Sequence, residues 1–272
     1  MATIKIDFFS QSLMRTVTIN AIVPVDKRDK QGRRIAKKEY QTLYLLHGIL
    51  GNYTDWLSGT RIERWAQEKD LVVIMPSGEN HFYVDNENSL QFHSQFIGEE
   101  LVEVTRAMFP LSHKKEDTFI AGLSMGGYGA ITNGLKYYDT FGYIAGLSSA
   151  LLIDDFVNAK YDSEYLMNRH YLESVFGDLN QLPGSDKDYR TLALNVNKQD
   201  MPHIYMACGK DDFLLQQNRD FRDFLIKNDI EVTYIEDEGA HEWDFWDRHI
   251  YLVLEWLPLH QCHTSIHSGN VK

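Results

Sequence analysis

Thr118-Phe119-Ile120-Ala121-Gly122-Leu123-Ser124-Met125-Gly126-Gly127-Tyr128-Gly129 is the stretch that decides how this chain is read. A short apolar run enters the pattern Gly-x-Ser-x-Gly, and a stretch suited to a helix leaves it. Strand, sharp turn and helix in that order lift a serine, in strained backbone geometry, above the end of a sheet. Hydrogen in place of a side chain at Gly122 and Gly126 lets the two backbones approach closely. The plain alternative is a glycine-rich helix start with Ser124 as an N-cap. The residues on either side favour the nucleophile.

Outward from Ser124, apolar runs alternate with helical stretches. Residues 3–9 and 14–23 read as an opening strand pair. Then come strand 42–46, helix 55–69, strand 71–75 and helix 89–109, in which Leu90, Ile97, Leu101, Val104 and Met108 fall on one face. Past the serine follow helix 125–138, strand 143–147, strand 203–208, helix 213–227, strand 231–235 and helix 242–256. Short buried strands alternating with amphipathic helices predict an α/β fold, with a mostly parallel central sheet covered on both faces. Residues 149–200 break the rhythm and are expected to form a helical insert over one sheet edge. We expect a single domain over residues 1–258 and a frayed C-terminal tail over 259–272.

Composition limits the partners. The 272 residues carry a formal charge of -12, which argues against nucleic acid as a ligand. Residues 26–39 hold seven Lys or Arg against three acids and read as a solvated loop. The sequence has two cysteines, Cys208 and Cys262, too few for a disulfide framework. No signal-peptide pattern opens the chain and no apolar run is long enough for a membrane span, so a cytoplasmic setting is expected. The spacing of Cys262, His263 and His267 lacks a partnering cluster, and no metal is expected there.

A serine hydroxyl is a poor nucleophile until a base takes its proton. In this architecture the partners follow in the order serine, acid, histidine, on loops after later strands. Of the eleven histidines, His241 stands just after strand 231–235 and before the last helix. His249 lies inside that helix, and His260, His263 and His267 lie in the tail. Asp211 and Asp212 follow strand 203–208; one is expected to orient the imidazole and the other to cap the next helix. Asp154 and Asp155 are the rival acids. For the oxyanion that acyl transfer creates, backbone N–H donors are expected from Met125 and from the loop His47-Gly48-Ile49-Leu50-Gly51. Phe82, Tyr83, Phe213 and Trp243 stand on or beside loops expected to line the rim and bind substrate.

Five motifs in this order resemble the esterase D group of α/β-hydrolases, and within it the bacterial tributyrin-esterase-like proteins. They are Leu45-Leu46-His47-Gly48-Ile49-Leu50-Gly51-Asn52 with Asp55-Trp56, then Phe82-Tyr83-Val84-Asp85, the Ser124 motif, Cys208-Gly209-Lys210-Asp211-Asp212-Phe213-Leu214, and Gly239-Ala240-His241-Glu242-Trp243. The likeness spans about residues 1–258. It implies an α/β-hydrolase fold and hydrolysis of carboxylic esters without cofactor or metal. It also selects Asp212 over Asp211 and places the first oxyanion donor on Ile49. The same group includes S-formylglutathione hydrolases, feruloyl or cinnamoyl esterases and sugar acetyl esterases, so the alternatives to a short-chain acyl ester are an aromatic acyl ester, an acetylated sugar or a thioester. A catalytically silent binding protein is the alternative from another class. The expected partner is a small ester, with a homo-oligomer left open. Residues 149–200 contain no long apolar run of the kind that caps a lipase, which points to short acyl chains.

Overall fold

The computed structural model describes residues 1–260 except Lys30 and Ala36. Of the expected tail only Leu259 and His260 fall within it; Cys262, His263 and His267 lie outside the described residues. In chain order the elements open with β1 Ala2–Ser10, β2 Arg15–Val23, β3 Thr42–Leu46, α1 Asp55–Gly59, α2 Ile62–Glu68 and β4 Val72–Pro76. A small hairpin, β5 Asp85–Asn86 and β6 Gln91–Phe92, leads into α3 His93–Gln95, a π-helical turn Phe96–Glu100 and α4 Leu101–Met108. Then come β7 Thr118–Leu123, α5 Met125–Lys136, β8 Tyr143–Leu147, α6 Ile153–Val157, α7 Arg169–Phe176, α8 Tyr189–Asn195, β9 His203–Gly209, α9 Leu215–Lys227, β10 Val232–Asp237 and α10 Trp243–Trp256.

Eight strands form one sheet in the order β1-β2-β4-β3-β7-β8-β9-β10. The first two are antiparallel to their neighbours and the other six run parallel. Strand residues alternate between two cores because successive side chains point to opposite faces. Leu43, Leu45, Phe119, Ala121 and Leu123 pack with α1, α2 and α10. Tyr44, Leu46 and Ile120 face the other way, toward α4, α5 and α9. The sheet therefore has helices on both faces. The chain leaves β3 for β4 on one side and reaches β7 on the other, so a crevice opens at the C-terminal ends of β3 and β7.

Four expectations are corrected. Helix 55–69 is two helices, because Thr60 is extended; its hydroxyl donates to Trp56 O (2.6 Å) and accepts from Ile62 N–H (3.2 Å), closing one helix and opening the next. Helix 89–109 begins only at His93, after the hairpin, and Leu90 lies in the turn with φ 54° and is 50% exposed. The π turn then rotates the helix face by one residue, burying Ile97, Leu101, Val102 and Thr105 and leaving Met108 in solvent. Residues 149–200 do not sit over a sheet edge. Their apolar side chains Ile153, Phe156, Leu172, Phe176, Tyr189 and Leu192 join the core on the α5 side, against Phe82 and Tyr128.

The fourth correction concerns the basic loop 26–39. Lys27 is buried and ion-paired with buried Asp70, and Lys37 reaches the other Asp70 oxygen at 3.1 Å. The loop is thus pinned from within to the turn between α2 and β4. Removing one member of a buried pair leaves the other charge desolvated, at a cost of about 3–5 kcal/mol. Asp70→Asn should therefore lower the unfolding free energy read from urea denaturation by about that much with m unchanged, whereas Arg64→Gln, which removes an exposed i,i+4 pair with Glu68, should lower it by less than about 1 kcal/mol. Equal shifts in equilibrium denaturation would contradict the buried-pair account.

Candidate active site

The turn between β7 and α5 is shaped by three backbones pressed together. A Cβ at Gly122 would overlap the carbonyl of Gly126, and a Cβ at Gly126 would overlap the carbonyls of Leu46 and His47 at the end of β3. Between these glycines Ser124 takes φ 53° and ψ -117°, a conformation that costs of the order of 1–3 kcal/mol for a non-glycine residue. Its own peptide groups hold it there. Ser124 N–H donates to Leu147 O at 2.9 Å, and Ser124 O accepts from Tyr128 N–H and Ala150 N–H, each at 3.0 Å. The side chain stands at the N-terminus of α5, where orphan N–H groups and the helix dipole favour negative charge.

Two further loops meet this turn. His241 Nε2 lies 3.0 Å from Ser124 Oγ, and His241 Nδ1 lies 3.1 and 3.0 Å from the two oxygens of Asp212. The carboxylate can only accept, so Nδ1 carries the proton and Nε2 is left to accept from the serine hydroxyl. Asp212 is buried, and its Oδ1 also accepts from Leu214 N–H at 2.9 Å. Burial raises the pKa of this carboxyl. The hydrogen bonds from His241 and Leu214 N–H, with the Ser148 hydroxyl, outweigh burial and hold it below its ordinary value of 3.8. Asp212 is thus the aspartate that meets His241, and α9 starts behind Leu214 without a side-chain cap, so the expected capping aspartate is not found. Asp211 is exposed and contributes its backbone N–H to Gly239 O. Asp154 is paired with Arg190 at 2.9 Å.

The imidazole is held on both sides. Phe213 lies 4.6 Å from its centroid, and Trp246 meets it edge-on at 4.9 Å, with Trp246 Nε1 donating to Ser148 Oγ at 3.2 Å. The other expected rim aromatics are less exposed. Tyr83 is fully buried and its hydroxyl donates to His47 O at 2.9 Å. Phe82 is buried in a cluster with Tyr128, Phe156 and Phe176. Trp243 is half-buried and packs edge-on against Trp56 and Trp246, joining α10 to α1. Phe213 alone of the four is broadly exposed, at 72%.

Beyond β3, a bonded framework fixes the loop 47–51. His47 Nε2 accepts from Gly78 N–H at 2.8 Å, so its Nδ1 is the donor to Gly48 O at 2.6 Å. Burial pushes the His47 pKa down, which keeps the ring neutral. Leu50, with φ 66°, donates its N–H to Asn80 Oδ1 at 2.8 Å, and Asn80 O in turn accepts from the Tyr171 hydroxyl at 2.6 Å. Gly48 sits directly against Leu123 and Ser124. Among the described residues neither Ile49 N–H nor Met125 N–H, the latter in the first turn of α5, has a hydrogen-bond partner. Asn80, Tyr171, Ser148 and Trp246 escaped sequence reasoning. Their partners are remote in sequence and no motif marks them.

Among the described residues no group of three or more His, Cys, Asp or Glu is placed to hold a metal ion, and no helix is long and apolar enough to cross a membrane. An esterase family model matches residues 10–251. An acetyl esterase of Caldicellulosiruptor saccharolyticus is 48% identical over 262 residues, covering 94% of this chain and 98% of its own. Among solved structures, an S-formylglutathione hydrolase from Staphylococcus aureus superposes with a TM-score of 0.80 at 30% identity, over 94% of this chain and 98% of that one. A fluorophosphonate-binding serine hydrolase of the same organism gives 0.82 at 30% identity with the same coverage.

A carboxyl held below 3.8 stabilises the fold fully above that pH, and the contribution is lost as pH falls through its lower folded value. The excess thermal stability of the parent protein over Asp212→Asn should therefore shrink between about pH 5 and pH 2. A difference in Tm that stays constant or widens on acidification would contradict this placement of Asp212.

Proposed function

The chain belongs to the esterase family of α/β-hydrolases and is a serine hydrolase of carboxylic esters, and from that premise we propose that Ser124, His241 and Asp212 perform the reaction through an acyl-enzyme. Ser124 Oγ attacks the ester carbonyl while His241 Nε2 takes its proton. The tetrahedral oxyanion is held by Ile49 N–H and Met125 N–H, each donor worth about 3–4 kcal/mol of transition-state stabilisation. His241 then returns the proton to the leaving alkoxide, the C–O bond breaks, and the acyl group stays on Ser124. Water, deprotonated by the same imidazole, repeats the attack and releases the acid. Asp212 fixes the tautomer and stabilises the imidazolium. The observation that carries this reading is the unbroken chain from Ser124 Oγ through His241 to Asp212, with a 3.0 Å contact at each end of the imidazole, assembled from loops after three different strands.

The natural substrate is read as an ester with a short acyl chain, of about two to six carbons. Two features favour it: the relative at 48% identity is an acetyl esterase, and the insert 149–200 packs down onto α5 instead of presenting an apolar cover. Phe213, exposed beside His241, offers a flat surface to a compact aromatic acyl or alcohol group, which keeps an aromatic ester as the second reading. Residues 1–258 are taken as one catalytic unit in which the insert braces the oxyanion loop through Tyr171 and Asn80. The buried free thiol of Cys208 suits a reducing, cytoplasmic setting, and the charge of -12 suits a small-molecule partner over nucleic acid.

Residues that act as one unit lose activity once. Ser124→Ala and His241→Ala should each lower kcat by several orders of magnitude, and the double variant should be scarcely worse; multiplicative losses would remove the assignment. Asp212→Asn should cost about 10⁴ in kcat, while exposed Asp211→Asn leaves turnover and stability near the parent values. On nitrophenyl esters from acetate to palmitate, kcat/KM should peak at six carbons or fewer and then fall steeply, since each methylene a fitted pocket rejects costs about 1–3 kcal/mol. A maximum at twelve carbons or beyond would refute the short-acyl reading.

A further inference from the structure

The two edges of the sheet are unlike. Edge strand β10 is fenced by ion pairs from α9: Arg219 Nε lies 2.7 Å from Glu236 Oε1, and Arg222 reaches the same carboxylate at 3.5 Å and lies over the Tyr234 ring. Among the described residues edge strand β1 has no ion pair along it: Asp7 accepts from the Thr18 hydroxyl, Thr3 donates to Glu63 at 3.2 Å, and Lys5 lies over the Tyr53 ring. It runs nine residues, Ala-Thr-Ile-Lys-Ile-Asp-Phe-Phe-Ser, in unbroken register with β2, without proline, glycine or bulge. Among the described residues no hydrogen bond reaches the backbone of residues 3–9 except from β2, so every second N–H and C=O along the strand points outward unpaired. A long, regular, unpaired edge is a template for another strand.

The side chains say which strand. Thr3, Lys5, Asp7 and Phe9 point to the exposed face, whereas Ile4, Ile6 and Phe8 are only half-buried against the core. We propose that β1 pairs antiparallel with β1 of a second copy of this chain, about a two-fold axis through Ile6, joining two eight-stranded sheets into one. In that register Lys5 of each copy opposes Asp7 of the other, twice over by symmetry. On the core face Ile4 opposes Phe8 of the second copy and Ile6 opposes its own twin, covering the half-buried row. Moving the axis to Lys5 or to Asp7 sets like charges opposite each other, which is unfavourable. Any register offset by one residue would turn the core of one copy to the other side. Of the registers that keep both cores on one side, the one centred on Ile6 alone sets Lys5 and Asp7 opposite each other, and this self-complementary charge pattern points to the chain itself as the partner.

The site at Ser124 lies at the other strand ends and is not part of this surface, so the test is independent of activity. Sedimentation velocity over about 1–100 μM should show a dimer. Lys5→Glu and Asp7→Lys should each weaken its Kd by at least about tenfold, because each sets like charges opposite each other at both symmetry-related places. The double variant Lys5→Glu/Asp7→Lys restores opposite charges and should recover most of the parent affinity. As a measurement that does not depend on charge, Ile6→Cys in a Cys262→Ser background should give a disulfide-linked dimer on mild oxidation, since directly opposed Cβ atoms lie about 4.5–5.5 Å apart. A monomer throughout the range, single variants that leave Kd unchanged, a double variant without rescue, or the absence of cross-linking would each overturn the proposal.

Discussion

Three backbones meet beneath Ser124 at a distance only hydrogen side chains allow, and the rest of the site is arranged around that contact. Gly122 at the end of β7 lies against Gly126 in the first turn of α5, and Gly126 lies against the carbonyls that end β3. The same crowding fixes the serine in its strained turn and brings the loop 47–51 alongside it. One packing constraint thus sets both where the proposed nucleophile Ser124 stands and where the loop proposed to bind an oxyanion stands. The strain is offset by ordinary hydrogen bonds to β8 and to the loop after it, through Leu147 and Ala150.

Strain recurs around this contact. Leu50, Glu79, Phe82, Tyr83 and Ser148 all have positive φ, and each belongs to a segment beside the serine, the histidine or the loop between β4 and β5. Residues of these types adopt such geometry only where their surroundings over-determine it. Here the surroundings are named groups: Asn80 holds Leu50, the Tyr83 hydroxyl holds His47 O, and Trp246 holds Ser148. The insert enters this framework through Tyr171. It therefore contributes order to the loop 47–51 although it lies well outside the strand ends that bear Ser124, Asp212 and His241.

How much of this could be read beforehand depended on whether the cause was local. The strands were legible because a short continuous apolar run such as Phe119-Ile120-Ala121 is what a strand buried on both faces requires, with Phe119 and Ala121 turned to one core and Ile120 to the other. The strand-end positions of Ser124, Asp212 and His241 were legible because glycine-bearing turns follow apolar runs. Other features depended on contacts between distant segments. Asn80 meets Leu50 thirty residues away and Tyr171 ninety-one residues away, leaving no periodic trace. The hairpin before His93 and the π turn at Phe96–Glu100 misled a 3.6-residue pattern into including Leu90 and Met108 respectively. Aromatics near a site look alike in sequence, yet Tyr83 props a carbonyl from inside the core while Phe213 faces solvent. Adjacent Asp211 and Asp212 differ only in which of them turns inward.

The account stands on Ser124 being an activated nucleophile whose oxygen forms the covalent bond. Intact-mass measurement after exposure to a fluorophosphonate, followed by peptide mapping, reads that bond directly. One equivalent of phosphonyl group on Ser124, with simultaneous loss of esterase activity, is the predicted result. An active, folded enzyme that stays unlabelled, or that loses activity with the label on another residue, would contradict it.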